Sequence, residues 1–137
     1  MPMLIKNLLE VKNLLIVAIA YTLFITIAFL SPASGLSKIN FPILKLIHLD
    51  KLAHLLIYLL LTLIWTIYLF KINNNQLKIK RIVFLLLLFL FYGIVIEVLQ
   101  ENLTTSRHAD IFDVLANLTG SILGALLFLS VKNRIKT

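Results

Sequence analysis

Residues 82–100 read IVFLLLLFLFYGIVIEVLQ, and the first fifteen of them carry no charge before the carboxylate of Glu97. Fifteen helical residues rise only about 22 Å, which is short of the ~30 Å hydrocarbon core of a bilayer. A spanning helix must therefore extend into its polar flanks and carry Glu97 below the headgroups. A carboxylate at the centre of a span costs about 2.5–3.5 kcal/mol, and less near the edge. Glu97 should thus face the other helices and have a partner there, with Arg107 as the first candidate and Lys51 as the next.

Three other uncharged apolar runs accompany this one, at Leu14–Leu30, Leu55–Phe70 and Val114–Val131. The chain has 137 residues, of which 61% are hydrophobic and 14% charged, and its mean hydropathy is +1.02. Soluble domains are not this apolar. The sequence predicts an all-α membrane protein, a single domain over residues 1–137 that forms a bundle of four transmembrane helices. We expect these helices at about 13–31, 50–70, 81–100 and 108–131.

The charged residues are divided unequally between the two predicted membrane surfaces. Nine of the 13 Lys and Arg residues fall in the N-terminal segment, the middle loop and the C-terminal tail. The positive-inside rule places these segments, and so both termini, in the cytoplasm of a multi-pass protein of the bacterial cytoplasmic (inner) membrane. Five of the six acidic residues and all three His residues then lie at the outer surface. We read the net charge of +7 as a topology signal and exclude nucleic acid as a partner.

The connection between the first two helices is too apolar for a solvated loop. Within residues 41–49, Lys45 and His48 are three positions apart and would share one face of a helical turn. This pattern predicts a short interfacial helix with its apolar side in lipid. Two readings stay open, a plain connector and a lid over a site.

The start of the second helix carries a ladder of polar residues. Asp50, His54 and Tyr58 are spaced by four and would lie on one side of the helix. Asp50 in the first turn also complements the helix dipole, and His54 could simply be an interfacial histidine. The functional reading rests on the ladder continuing into the bundle.

The fourth helix has the strongest pattern, a stripe that contains Asp110, Asp113, Asn117, Gly120 and Gly124 within an arc of about 80°. The two glycines form a small-xxx-small pair, for which close helix packing is the simplest explanation, within the chain or with a membrane-protein partner. Asn117 either forms a hydrogen bond between helices or is part of a site. Two aspartates at a helix interface repel each other unless a cation neutralises them.

The segments Asp50-Lys51-x-x-His54 and Glu97-x-x-Gln100-x6-Arg107-x-x-Asp110-x-x-Asp113-x3-Asn117-x-x-Gly120-x3-Gly124 resemble the signature of the VanZ-like family of small bacterial membrane proteins. The resemblance covers the second to fourth helices. It implies a cell-envelope role linked to resistance to glycopeptide antibiotics of the teicoplanin type. The characteristic positions that it carries over are Asp50, Lys51, His54, Glu97, Gln100, Arg107, Asp110, Asp113 and Asn117.

Three functions fit a polar site at the outer end of the bundle. In the first, the site engages an anionic or lipid-linked envelope component, such as a cell-wall precursor, or a glycopeptide itself. His54, Asp113 and Glu97 are then the candidate catalytic residues if the protein is an enzyme, which the sequence leaves open. The candidate substrate-binding residues are Lys51, Arg107, Gln100, Asn117, Asp50 and Asp110.

The second function is a structural or accessory subunit of a membrane complex, in which the polar residues form an internal network. The third is a divalent-cation site built from Asp50, His54, Glu97, Asp110 and Asp113. The sequence requires no cofactor, and a divalent cation is the one that it allows. The chain has no cysteine, so disulfides and thiolate sites are excluded. Membrane lipid is the one partner that the apolar composition makes certain.

Overall fold

The computed structural model of the chain describes residues 10–31, 49–103 and 109–136. These residues form four α-helices, which we number α1 to α4 in chain order. They are α1 at Val11–Leu30, α2 at Leu49–Ile72, α3 at Ile79–Leu103 and α4 at Ile111–Val131. All four are long and apolar enough to cross a membrane. The predicted all-helical architecture with four helices that could span a membrane is therefore confirmed, whereas the predicted interfacial helix lies outside the described residues.

The helices α2 and α3 run beyond their apolar segments into polar flanks, as the short run before Glu97 requires. α3 contains 25 residues and takes in both Arg81 and Glu97. At about 1.5 Å per residue it is ~37 Å long, enough to span the hydrocarbon core with polar ends. Its outward face carries large exposed side chains such as Phe84 and Phe91, which suit contact with lipid.

A tight turn joins α2 to α3. Asn74 and Asn75 adopt left-handed backbone conformations, with φ of 54° and 60°. Asparagine tolerates this region better than most residues, because its short side chain can bond locally. The amide of Asn75 donates to the carbonyl of Phe70 at 3.0 Å, which satisfies one of the free carbonyls at the end of α2.

The closest helix pair is α2 and α4, and glycines bring it together. A side chain at Gly120 would overlap the carbonyl of Leu55, and one at Gly124 would overlap the carbonyl of Leu59. The small-xxx-small face of α4 is therefore occupied by α2 of the same chain. A partner subunit that docked on these glycines would have to replace α2.

The helix α1 packs against α2 and α3 and is held by polar contacts as well as apolar ones. Tyr21 Oη donates to the carbonyl of Ile57 at 3.1 Å, and Trp65 Nε1 donates to Thr22 Oγ1 at 3.1 Å. Each of these bonds joins α1 to α2 within the apolar part of the bundle. Such contacts fix the depth of α1 relative to its neighbours, because hydrocarbon offers no competing partners.

Candidate functional site

The polar residues of three helices meet at one end of the bundle, where α2 and α4 begin and α3 ends. We call this group the charged centre, and the end that holds it the charged end. Its members are Lys51 and His54 from α2, Glu97 from α3, and Asp110, Asp113 and Asn117 at the start of α4. The sequence predicted that these six residues would come together, and the structure confirms the convergence.

Lys51 connects α2 to the start of α4. Its Nζ lies 2.7 Å from Asp110 Oδ2 and 3.1 Å from Asp113 Oδ1. A third carboxylate, that of Asp50, lies 3.3 Å away. The lysine thus supplies the cation that the two aspartates of α4 need at a helix interface.

Asp50 stands at the rim of this group and not inside it, since 62% of its side chain is exposed. The inward stripe on α2 is formed by the partly buried Lys51 and the buried His54 and Tyr58, at spacings of three and four. The predicted ladder through Asp50 is therefore shifted by one position at its outer end. Asp50 sits in the first helical turn, where a carboxylate complements the helix dipole.

Asp110 caps α4 from outside the helix. Its backbone is extended, with φ of −120° and ψ of 117°, and its side chain accepts a hydrogen bond from the amide of Phe112 at 2.8 Å. We expected the helix to begin near residue 108 with Asp110 on its stripe, but α4 begins at Ile111 because aspartate is a strong N-cap. The hydrogen bond from Lys51, followed by that from Phe112, lowers the pKa of Asp110 below its ordinary value.

His54 is buried inside the bundle, with 3% of the residue exposed. Its Nδ1 lies 3.0 Å from Asn117 Oδ1, so the ring nitrogen donates to the amide oxygen. The ring stacks on Phe29 of α1, with centroids 4.6 Å apart and an interplanar angle of 26°. Two carboxylates flank the ring, with Glu97 Oε1 3.8 Å from Nδ1 and Asp113 Oδ2 3.9 Å from Nε2.

Glu97 is buried inside the bundle, as its position at the end of an apolar run predicted, with 3% of the residue exposed. Its Oε2 accepts from the amide of Asp110 at 3.4 Å. Gln100, one turn further on, donates from Nε2 to the carbonyl of Phe29 at 2.8 Å. This bond satisfies a carbonyl at the end of α1, so Gln100 joins α3 to α1.

A second layer of polar groups lies deeper in the bundle, below the charged centre. The hydroxyl of Tyr58 and the Nδ2 of Asn117 are buried and have no hydrogen-bond partner among the described residues. Both adjoin Gly93 of α3, where an added side chain would lie 3.3 Å from Tyr58 Oη and 3.1 Å from Asn117 Nδ2. Thr62 and Ser121 lie deeper still and are also fully buried.

The sequence-based reasoning missed Phe29, which lies on a helix with no diagnostic polar residue. No spacing within α1 marks it, because its role comes from the contact with His54 across the bundle. Thr62 and Ser121 continue the stripes of His54 and Asn117 by steps of four, and this periodicity could have found them. Arg107, expected to bind an anion and to pair with Glu97, lies outside the described residues.

The chemistry available here is that of one imidazole between two carboxylates. Such a set can transfer protons or ligate a metal ion. Lys51 faces three carboxylates, so an anion that approached it would compete with them.

Comparisons of the chain with models of protein families, with curated proteins and with solved structures find no match. The resemblance to the VanZ-like family therefore rests on the quoted residues alone.

Proposed function

We propose that this protein is a VanZ-like cell-envelope protein whose charged centre engages an anionic or lipid-linked envelope component, with a role in resistance to teicoplanin-type glycopeptides. The observation that supports the proposal is the burial of His54 and Glu97, each 3% exposed, where three spans meet. Ionisable residues inside a membrane bundle are costly and are typical of functional sites.

The packing of the bundle does not account for these residues. Gly120 and Gly124 already bring α4 against α2 through backbone contact, and an apolar cluster that includes Phe70 and Phe128 packs the far end of the same helix pair. A buried ion pair is no better for stability than well-packed apolar side chains. A functional origin for His54, Glu97 and Asp113 is therefore the more economical explanation.

The proposal places the charged end at the outer surface of the bacterial cytoplasmic membrane. Basic residues gather at the opposite end, where α2 ends, α3 begins and α4 ends: Lys71, Lys78, Lys80, Arg81, Lys132, Arg134 and Lys136. The positive-inside rule favours the cytoplasm for that end, and with it both termini. Cell-wall precursors and glycopeptides would then meet the charged centre from outside.

Within such a site, His54 and Asp113 would carry the proton transfers if the protein is an enzyme. Asn117 holds Nδ1 of the ring as a donor, so Nε2 is the nitrogen that faces Asp113 and can exchange a proton. Glu97 lies beside the same ring. A phosphate group would be recognised by Lys51, which must then leave one of its carboxylates, and by Arg107.

The test is complementation of a deletion strain in which the wild-type chain restores tolerance to teicoplanin. We expect His54→Gln, Asp113→Asn and Arg107→Ala to fail at normal membrane levels, because each removes a proposed catalytic or anion-binding group. Glu101→Gln is the matched control, since this exposed carboxylate near the end of α3 belongs to no proposed site, and it should complement. Full complementation by all three centre variants would reject the proposal.

An accessory subunit is the second candidate, and the closed contacts of the charged centre favour it. Lys51, Gln100 and Asn117 each bond to another helix of the same chain. In that case the polar residues hold the bundle in register for a larger assembly. The protein would then leave the membrane in a mild detergent as a stoichiometric complex, whereas the envelope-site proposal predicts a chain that is stable alone.

A further inference from the structure

Three residues that commonly bind metals come together from three different spans. His54, Glu97 and Asp113 each offer one ligand atom, and these atoms all lie within 4.8 Å of one another. The side chains of His54 and Glu97 are 4% exposed and that of Asp113 is 13% exposed. One imidazole and two carboxylates suit zinc or manganese better than magnesium, which prefers oxygen ligands alone.

The orientation of the His54 ring is the one that a metal-binding histidine needs. Its Nδ1 donates to Asn117 Oδ1 at 3.0 Å, so the lone pair of the neutral ring is on Nε2. Histidines that bind metals usually donate their second nitrogen to a carbonyl or carboxylate in this way. Stacking against Phe29 restricts the rotation of the ring further.

In this tautomer, Nε2 points its lone pair at a carboxylate. Asp113 Oδ2 lies 3.9 Å away, which is too long for a hydrogen bond. A zinc ion about 2.0–2.2 Å from each atom would fit between them after a small adjustment.

A second observation concerns two buried polar atoms next to the charged centre. The Tyr58 hydroxyl and Asn117 Nδ2 are buried and lack a hydrogen-bond partner among the described residues. Both lie beside Gly93 of α3. Buried polar atoms are nearly always paired with protein or water, so a bound water or oxygen ligand is expected here.

We propose that His54 Nε2, Glu97 and Asp113 bind one divalent transition-metal ion of the zinc or manganese type. Asn117 is a positioning residue that holds the ring through Nδ1. The two carboxylates balance the charge of the ion, and three protein ligands leave at least one position open for water or substrate, as in catalytic zinc sites. The proposal goes beyond the envelope role and does not depend on which envelope component is engaged.

The experiment uses the full chain, purified in detergent with a tag that contains no histidine. The protein is dialysed against buffered Zn²⁺, and against Mn²⁺ in a parallel sample, and bound metal is measured by mass spectrometry. We expect about one ion per chain for the wild type, and Mn²⁺ spin resonance should show coupling to one imidazole nitrogen. Mg²⁺ at the same concentration should displace neither Zn²⁺ nor Mn²⁺.

Variants identify the ligands. His54→Gln, Glu97→Gln and Asp113→Asn should each weaken Zn²⁺ binding by at least about tenfold, and Asn117→Ala by about 10–100-fold with the nitrogen coupling retained. Glu101→Gln is the matched control, since this carboxylate is exposed near the end of α3, and it should bind as the wild type does. Circular dichroism and monodispersity check that each variant is folded.

The proposal is overturned if the wild type retains neither Zn²⁺ nor Mn²⁺, or if the three ligand variants bind as well as Glu101→Gln. Retained affinity without nitrogen coupling would also overturn it, since the ion would then lie elsewhere. Failure of the teicoplanin complementation leaves this result untouched, because metal binding is measured on the purified chain. The two proposals can therefore fail separately.

Discussion

The two ends of α2 use their polar side chains in opposite ways. At the charged end, Lys51 bonds to carboxylates on another helix and His54 bonds to the amide of Asn117. At the opposite end, Lys71 Nζ donates to the backbone carbonyl of Ile135, and Asn75 Nδ2 donates to that of Lys136 at 2.9 Å. Lys51 and His54 thus bond to side chains of other segments, whereas Lys71 and Asn75 bond to backbone carbonyls.

This difference separates folding from function. Donors that bond to free carbonyls beyond α4 serve the folding of the segment that follows this helix. The charged end instead buries a histidine and a glutamate that no helix terminus requires. We infer that loss of polar groups at the opposite end affects stability alone, and that loss at the charged end affects activity first.

The largest effect on stability is expected where the two α2–α4 backbones touch. Gly120→Ala places a methyl group against the carbonyl of Leu55, which cannot move without moving α2. The free energy of unfolding should fall by about 1–3 kcal/mol, as for overpacked cores. Gly93→Ala is the control, because it meets only side-chain atoms at 3.1 and 3.3 Å and should cost less. The two variants are compared by unfolding in detergent, monitored by circular dichroism. Equal losses in the free energy of unfolding would contradict this packing.

A smaller loss is expected at the opposite end. Lys71→Met removes the bond to the carbonyl of Ile135 and should lower the free energy of unfolding by about 0.5–1.5 kcal/mol. Tolerance to teicoplanin and Zn²⁺ binding should not change. Lys78→Met, which removes an equal charge from the exposed loop, should be neutral by the same denaturation assay. A loss of activity in Lys71→Met would break the division between the ends.

Asp113→Asn should have the opposite effect from Lys71→Met, with lost activity and little loss of stability. The new amide oxygen can still accept from Lys51, which also keeps Asp110 and Asp50. The free energy of unfolding without metal should therefore change by less than about 1 kcal/mol, while complementation is lost. Stability to chemical denaturation and susceptibility to teicoplanin are measured on the same variant. A loss of stability large enough to explain the lost activity would remove the distinction between the two ends.

The smallest effect concerns Asp110 and depends on pH. Asparagine is as good an N-cap as aspartate, so Asp110→Asn keeps the bond from Phe112 and removes only the charge facing Lys51. Because the pKa of Asp110 is lowered in the folded protein, its charge adds stability above the ordinary carboxyl range. That gain disappears as the pH falls through the lowered pKa. With chelator present, wild type and variant should differ slightly at pH 7 and converge in acid, and a difference that grew in acid would contradict the sign.

The sequence predicted the spans well because composition and length decide them. The short run before Glu97 required α3 to extend, and it does so through Leu103. Burial of Glu97 followed from the same argument. The start of α4 was misplaced, since capping by Asp110 depends on a local bond that hydrophobic periodicity does not report.

Helical spacing predicted the convergence of the six residues of the charged centre but not their pairings. Helical spacing placed His54 and Asn117 on inward faces, whereas their mutual bond depends on the depth at which α2 crosses α4. Gly120 sets that depth through contact with the backbone of Leu55. Phe29 had no signal at all, because stacking on His54 arises only when α1 docks.

The central claim is that side chains from separate spans meet at one end of the bundle. The chain has no cysteine, so pairs can be introduced without removing any. His54→Cys with Asn117→Cys, and His54→Cys with Glu97→Cys, are treated in native membranes with a short bifunctional thiol reagent, and intramolecular cross-linking is measured by mass spectrometry. Both pairs should cross-link efficiently, and Leu56→Cys with Asn117→Cys should not, since Leu56 is 49% exposed on the outside of the bundle. Equal cross-linking of all three pairs, or none in the two centre pairs, would contradict the account.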